Sequence, residues 1–328
     1  MTTPTEITVR RVIDADRPAV LNLLADSLGW DRDETFADFF RWKHEENPFG
    51  PSPAWVAVED DVVVGFRTFL RWEFEHPDGR MRRAVRAVDT ATSPAHQGRG
   101  IFRRLTLTAV DELTADGIDF VFNTPNANSR PGYLRMGWST VGRLRIVVRI
   151  GGIASAFRMR ASRVPAERGP VATTAGAAAG EMLAHPSVHN LLATVGAPTR
   201  LRTARSPAYL RWRYGLDSLG YRAIALDDDP VSGLAIFRVR RRGDATEAGI
   251  SEVIVPNGDD AARRRLLALV ARRTGADYAI RVGRASIRAG YVPFPRQGPI
   301  LTWRPLADQA RPPALGELDL SLGDVELL

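Results

Sequence analysis

Residues 90–105 read Thr-Ala-Thr-Ser-Pro-Ala-His-Gln-Gly-Arg-Gly-Ile-Phe-Arg-Arg-Leu. A β-prone run stops at Pro94, and the small and basic residues Gly98, Arg99 and Gly100 follow. Apolar positions at Ile101, Leu105, Leu107, Val110 and Leu113 then recur with helical spacing. A strand, a glycine turn and a new helix N-terminus make an anion site. The first helical amides have no acceptor inside the helix, and the helix dipole adds partial positive charge there. Arg99, Arg103 and Arg104 put fixed charge beside it, so the guest this stretch predicts is a phosphate or pyrophosphate.

What precedes the turn narrows its use. Ile7–Val12 alternates as a strand, and Asp14 or Asp16 is placed to cap a helix carrying Val20, Leu21, Leu23, Leu24 and Leu28. An aromatic-rich helix over Phe36–His44 ends before Pro48-Phe49-Gly50-Pro51. Strands over Ala54–Glu59, Val62–Arg71 and about Met81–Thr92, joined at Asp60-Asp61 and Pro77-Asp78-Gly79, form an antiparallel meander. The turn therefore follows the last strand of a meander. A dinucleotide fold needs it after the first strand of a βαβ unit, and a Walker loop needs Gly-Lys-Ser/Thr, which is absent. Downstream, a helix runs from about Gly100 to Ala115. A short buried strand is expected over Ile118–Asn123, a helical segment over Ser129–Met136, and a closing strand over Val141–Ile150.

The 328-residue chain is comfortable for two domains, and 44% hydrophobic with 25% charged residues is an ordinary globular balance. No apolar run is long enough to span a bilayer, and the first residues lack the basic and apolar regions of a secretory signal. A cytoplasmic location is expected. There are no cysteines, which rules out disulfides, thiolate metal sites and a cysteine nucleophile. His185 and His189 are spaced i, i+4 without a third ligand nearby, so no metal is expected. The net charge of +7 is carried almost wholly by arginine, since Lys43 is the only lysine. The arginines are spread along the chain with no basic stripe carrying interleaved aromatics, so neither a nucleic-acid partner nor a membrane is expected.

Beyond an Ala/Gly/Pro-rich stretch around 162–180, the landmarks of the first half return in order. Phe39-Phe40-Arg41-Trp42-Lys43-His44 is echoed by Tyr209-Leu210-Arg211-Trp212-Arg213-Tyr214. Val64-Gly65-Phe66 is echoed by Ser232-Gly233-Leu234, Asp89–Pro94 by Ser251–Pro256, and Arg135-Met136-Gly137-Trp138 by Arg288-Ala289-Gly290-Tyr291. One α/β unit has been duplicated. In the second copy, Asn257-Gly258-Asp259-Asp260 stands where the glycine turn would be. Its carboxylates would cap the helix themselves and repel pyrophosphate.

The first half resembles the GNAT acyltransferase superfamily. Gln97-Gly98-Arg99-Gly100-Ile101-Phe102 fits its Gln/Arg-x-x-Gly-x-Gly/Ala phosphate motif, except that Phe102 replaces a small residue. Asn126, Ser129, Tyr133, Gly137 and Trp138 match Asn-x-x-Ala/Ser-x-x-x-Tyr-x-x-x-Gly-Phe, with Trp for Phe. The resemblance covers residues 7–150, and the second half at fold level only. It implies an α/β (α+β) fold of two tandem acyl-CoA N-acyltransferase domains, each a mixed, mostly antiparallel sheet flanked by helices. The expected division is a catalytic domain over 1–155, a linker over 156–182 and a degenerate copy over 183–328.

The resemblance also implies roles. The amides of Gln97, Gly98, Arg99, Gly100, Ile101 and Phe102 would hold the pyrophosphate of acetyl-CoA or another acyl-CoA. Backbone at Ala91 and Thr92 would meet the pantetheine and the acyl carbonyl, where an N–H stabilises the oxyanion of the tetrahedral intermediate. Asn126, with Ser129 beside it in the motif, would bond the pantetheine. Tyr133 would protonate the departing thiolate, since a phenol holds its proton at neutral pH where a thiol begins to lose it. Asp89, on the strand leading to the acyl site, is the candidate base; Glu45, Glu46 and Glu73 are further acids near the expected acceptor entrance. The function this implies is acyl transfer, acetyl by default, to the amine of a small-molecule or peptide acceptor. A non-catalytic CoA-binding module is the alternative. At Tyr133's place in the second copy stands Ser286, so that copy is not expected to bind CoA productively.

Overall fold

The computed structural model describes residues 6–162, 164–307 and 311–326; Met1–Thr5, part of the leader reading, lie outside the described residues. In chain order the first elements are β1 (Thr8–Arg11), α1 (Arg17–Leu28), α2 (Glu34–His44), β2 (Ala54–Glu59), β3 (Val62–Glu75) and β4 (Met81–Thr92). Then come α3 (Ile101–Ala115), β5 (Phe120–Asn123), α4 (Arg130–Arg135), β6 (Ser139–Arg143), β7 (Ile146–Ile150) and α5 (Ile153–Ala161). The rest comprises β8 (Ala177–Ala178), α6 (Ala179–Leu183), α7 (Ser187–Thr194), β9 (Leu201–Thr203), α8 (Pro207–Tyr214), β10 (Arg222–Ala225), β11 (Leu234–Arg242) and β12 (Ala245–Ile254). The last elements are α9 (Asp260–Thr274), β13 (Tyr278–Val282), β14 (Val292–Pro293), β15 (Ile300–Pro305), β16 (Leu318–Asp319) and α10 (Leu322–Val325).

Two compact units emerge, and neither is a continuous piece of chain. The first comprises the residues up to Phe74, Met81–Gly142 and Ile300–Ala314; the second comprises Glu75–Arg80, Arg143–Pro299 and Leu315 onward. The sheet of the first unit runs β1-β2-β3-β4-β5-β15-β6, and that of the second β14-β7-β13-β12-β11-β10-β8. β4 and β5 pair parallel, as do β12 and β13, while β5 takes β15 and β13 takes β7 antiparallel. Read in reverse, from β8 to β14, the second order is the same as the first. The sixth strand of each sheet comes from the other half of the sequence.

The expected closing strand Val141–Ile150 is therefore two strands. β6 ends at Arg143 and β7 begins at Ile146, each in a different sheet. Residues 143–155 pack with the second unit and 300–314 with the first, unlike the expected boundaries. The Ala/Gly-rich stretch after Ser162 follows the second sheet for part of its length: Glu167 N–H donates to Arg241 O and Val171 N–H to Val239 O.

In the first unit, α3 lays Ile101, Leu105, Ala109 and Leu113 onto a core with Trp55, Phe69, Val85, Val121, Tyr133 and Trp138. Each fully buried large side chain contributes about 1.5–3 kcal/mol. The seat of the helix N-terminus is Gly65 on β3. A Cβ there would come within 2.6 Å of Ile101 Cγ2 and 3.2 Å of Leu105 Cδ1, so only glycine lets α3 lie this close. In the second unit α9 packs Leu266, Leu267 and Val270 against Phe237, Ala248 and Ile250 in the same manner.

Candidate active site

The glycine turn has the shape its sequence predicts. Gly98 and Gly100 have φ of +77° and +75°, where an L side chain is strained, and a Cβ at either would meet nothing within 4 Å. Gly100 is the N-cap of α3 and has no side chain to satisfy the helix amides. The amides of residues 98–103 have no acceptor among the described residues, whereas Arg104 N–H already bonds Gly100 O. These amides, without acceptors in a turn whose glycine Cβ positions are open, fit an anion such as pyrophosphate.

The charge beside the turn differs from the expectation. Arg99 is tied to Glu59 on β2 at 2.6 Å, and His96 Nε2 lies 2.8 Å from the same carboxylate. The Arg99 hydrogen bond holds the Glu59 carboxyl below its usual range, against burial, with His96 adding to it. Arg104 Nη2 donates to Ile7 O. Arg99 and Arg104 thus brace the turn, and Arg103 is left without an ion pair among the described residues. Phe102 does not crowd the turn. Its half-buried ring points inward and meets the Tyr133 ring edge-on, with centroids 5.6 Å apart.

Pairing between β4 and β5 reaches Arg86↔Phe122. Beyond it the strands part company: β4 carries on through Asp89, Ala91 and Thr92, and the chain after β5 turns toward α4. Asp89 has φ of +24°, an irregular backbone position that breaks the strand's alternation, and Thr90 Oγ1 donates to Phe66 O beside it. Asn126 uses its Oδ1 to accept from the amides of Asn128 and Ser129 and from Ser129 Oγ, at 3.0, 2.9 and 3.0 Å. It shapes the entry to α4, and its Nδ2 donors remain for another partner.

Tyr133 is buried, between the rings of Phe102 and Trp138. Its hydroxyl accepts a 2.7 Å hydrogen bond from Nη2 of Arg67, a fully buried residue on β3. In the sequence Arg67 shows only as an arginine inside the apolar run Val62-Val-Val-Gly-Phe-Arg-Thr-Phe-Leu70.

Asp89 is not alone. Lys43 Nζ and His44 Nε2, at the end of α2, both lie 2.8 Å from its Oδ2, and His44 Nδ1 lies 3.0 Å from Ser52 Oγ. An ionised carboxylate only accepts, so Nε2 of a neutral His44 carries the proton and Nδ1 accepts from the Ser52 hydroxyl. Burial pushes the Asp89 carboxyl up, but Lys43 and His44 outweigh it and hold it well below the usual carboxylate range. Burial lowers the His44 imidazole, against Asp89. Glu45 and Glu46, by contrast, pair with Arg17 and Arg41 on the exposed face.

These shifts set a sign for stability. Both groups bind protons more weakly folded than unfolded. Their contribution is present above the unfolded pKa values and is lost as pH falls, first through the histidine range near 6.5 and then through the carboxylate range. The melting temperature is expected to drop between about pH 7.5 and 5, and His44→Gln to flatten that drop. Equal slopes for the two proteins in pH-series thermal melts would contradict the assignment.

The second unit repeats the arrangement with other chemistry. Tyr214, at the end of α8 like His44 at the end of α2, donates to Glu252 on β12 at 3.0 Å, one residue beyond the counterpart of Asp89. Ser251 is skipped in the β11–β12 register, a bulge at the place corresponding to Asp89. At the N-terminus of α9, Asp259 accepts from Ala261 and Ala262 amides at 2.7 and 3.1 Å, so the chain's own carboxylate satisfies the anion-binding amides.

Comparison with known proteins agrees with this architecture. Residues 8–141 match the family described as "Acetyltransferase (GNAT) domain". No curated protein matches the sequence. A GCN5-related N-acetyltransferase from Anabaena variabilis superposes with a TM-score of 0.62 at 14% identity, over 92% of this chain and 73% of that one. A probable N-acyltransferase of unknown function from Enterococcus faecalis gives 0.63 at 10% identity, over 92% and 73%. Eis1 from Mycobacterium abscessus gives 0.58 at 15%, over 92% and 74%. At these identities the likenesses establish the fold, which is that of the GNAT acyltransferases. The chain carries a GNAT acetyltransferase domain across residues 8–141. That family implies an acyl-CoA co-substrate and an amine acceptor. Among the described residues no helix is long and apolar enough to cross a membrane.

Proposed function

We propose that the first unit transfers an acyl group, acetyl by default, from CoA to the amine of a small-molecule or peptide acceptor by direct attack, and that the second unit is a degenerate copy without a working site. The observation that carries the reading is the glycine turn: two left-handed glycines, open space where side chains would stand, and helix amides without acceptors. Amides 98–102 hold the pyrophosphate, while the expected Gln97 amide is taken by Pro94 O at 3.4 Å and closes the turn instead. The Asn126 Nδ2 donors and the Ser129 region face the pantetheine, and backbone at Ala91 and Thr92 faces the acyl carbonyl, where an N–H steadies developing negative charge.

Tyr133 is the acid that protonates the leaving thiolate. Asp89 is the base-side group: its carboxylate, kept ionised by Lys43 and His44, draws the acceptor's ammonium in and hands the proton shed on attack on to solvent. The second unit supports the contrast, because Asp259 fills its own helix N-terminus and Ser286 stands at the position of Tyr133.

Release of free thiol from acetyl-CoA across a panel of primary amines tests the reading. Amine-dependent thiol release and a mass gain of one acyl group on the amine are expected. CoA binding without turnover on any amine would leave a binding module instead.

A further inference from the structure

We infer that Arg67 is a positioning residue for the leaving-group proton: it sets the direction of the Tyr133 O–H and offsets the charge left on the phenol oxygen when that proton departs. The inference rests on the acid role proposed for Tyr133.

Arg67 is one of three arginines, with Arg213 and Arg238, among the largest fully buried side chains. Arg67 is completely inaccessible. Its guanidinium makes one hydrogen bond, to Tyr133, and lies over the rings of Phe69, Phe102 and Tyr133 at 4.6, 5.4 and 5.4 Å. Nε has no partner, and no carboxylate pairs with the group among the described residues. A guanidinium stays charged in proteins, and burying one without a counter-ion is costly; ring faces offset only part of that cost. A core of this size would be more stable with an apolar residue of the same volume at position 67. The placement makes sense if a negative charge forms beside it during the working cycle.

The direction of the hydrogen bond says where. Arginine has only donors, so the phenol oxygen must accept. That uses a lone pair on the side of Arg67 and leaves the single O–H proton to point elsewhere. The flanking rings of Phe102 and Trp138 offer no acceptor, so the proton is kept for a guest.

In the step itself the N–C bond forms and the C–S bond breaks, its electron pair going to sulfur. Sulfur takes the Tyr133 proton, and the phenolate so formed faces the Arg67 guanidinium at hydrogen-bond distance. The proton shed by the attacking amine goes to the base side, and Tyr133 recovers its proton from solvent before the next turnover.

A double-mutant cycle tests this, with Arg67→Met, Tyr133→Phe and the pair, and with Arg67→Lys alongside. Arg67→Met is expected to lower kcat by about 30-fold or more while the KM for acyl-CoA moves less than about threefold. In the Tyr133→Phe background the same change is expected to cost less than about twofold, because the oxygen it serves is gone. Arg67→Lys, which keeps charge and a donor, should recover most of kcat, and Arg67→Gln enters the cycle if the Met variant does not fold.

Equal losses in both backgrounds, or a rise in KM at unchanged kcat, would show a packing role and overturn the inference while leaving Tyr133 as the acid. Full activity in Tyr133→Phe alone would overturn the acid role itself.

Discussion

Tyr133→Phe is expected to lower kcat by about 100-fold, with CoA affinity almost unchanged. The phenylalanine keeps the ring between Phe102 and Trp138, so the core that seats α4 stays filled. What disappears is one oxygen: the acceptor of the Arg67 bond and the donor proposed for the thiolate. A positioned acid typically contributes 10²–10⁴-fold, and the lower end applies here because a CoA thiolate leaves without full protonation. The fold pays a separate cost for leaving Arg67 without its partner, about 1–3 kcal/mol, which appears in the melting temperature and not in kcat. Steady-state kinetics with a CoA-binding titration separate the two effects. Full turnover in this variant would remove Tyr133 from the chemistry.

Gly100→Asp is expected to weaken CoA binding by about 100-fold or more in a protein that still folds. Position 100 has φ of +75° and caps α3, and a Cβ there meets no atom. Aspartate is among the residues that tolerate this backbone region, and as an N-cap its carboxylate is favourable for the helix. Strain and cap therefore roughly offset. For the ligand both consequences are adverse: the carboxylate takes the amides that pyrophosphate needs, and like charges at close range cost several kcal/mol, each 1.4 kcal/mol being a factor of ten. The second unit already shows the same substitution in natural form, with Asp259 bonded to its own helix amides. Gly100→Ala separates strain from charge and should bind CoA with a much smaller loss.

Local chemistry was legible in the sequence. Asp60-Asp61 turns at positive φ between β2 and β3 as its residues suggest, and Ala54–Glu59 and Met81–Thr92 are strands over the residues expected. α3 begins at Ile101, directly after the glycines. These features depend on neighbours a few residues away. Strand partnership does not. Val141–Ile150 carries an unbroken β-prone pattern, and nothing in it says that β6 and β7 join different sheets. Nor does Ile300–Pro305 announce that it will lie beside β5, some 180 positions earlier in the chain.

The candidate site divides along the same line. The turn and the Asn126–Trp138 motif could be read because their meaning lies in spacing. The partners of Asp89 could not, because Lys43 and His44 reach it from another element. Arg67 was visible only as a charge in an apolar strand, and its meaning waits on the Tyr133 hydroxyl across the sheet.

The central claim is that the chain holds one acyl-CoA site, built on the turn at 97–102 in the first unit. Calorimetric titration of CoA into the full chain tests it most directly. One CoA per chain is expected, with its affinity lowered about 100-fold or more in the Gly100→Asp variant. Two equivalents per chain, or undiminished binding to Gly100→Asp, would contradict it.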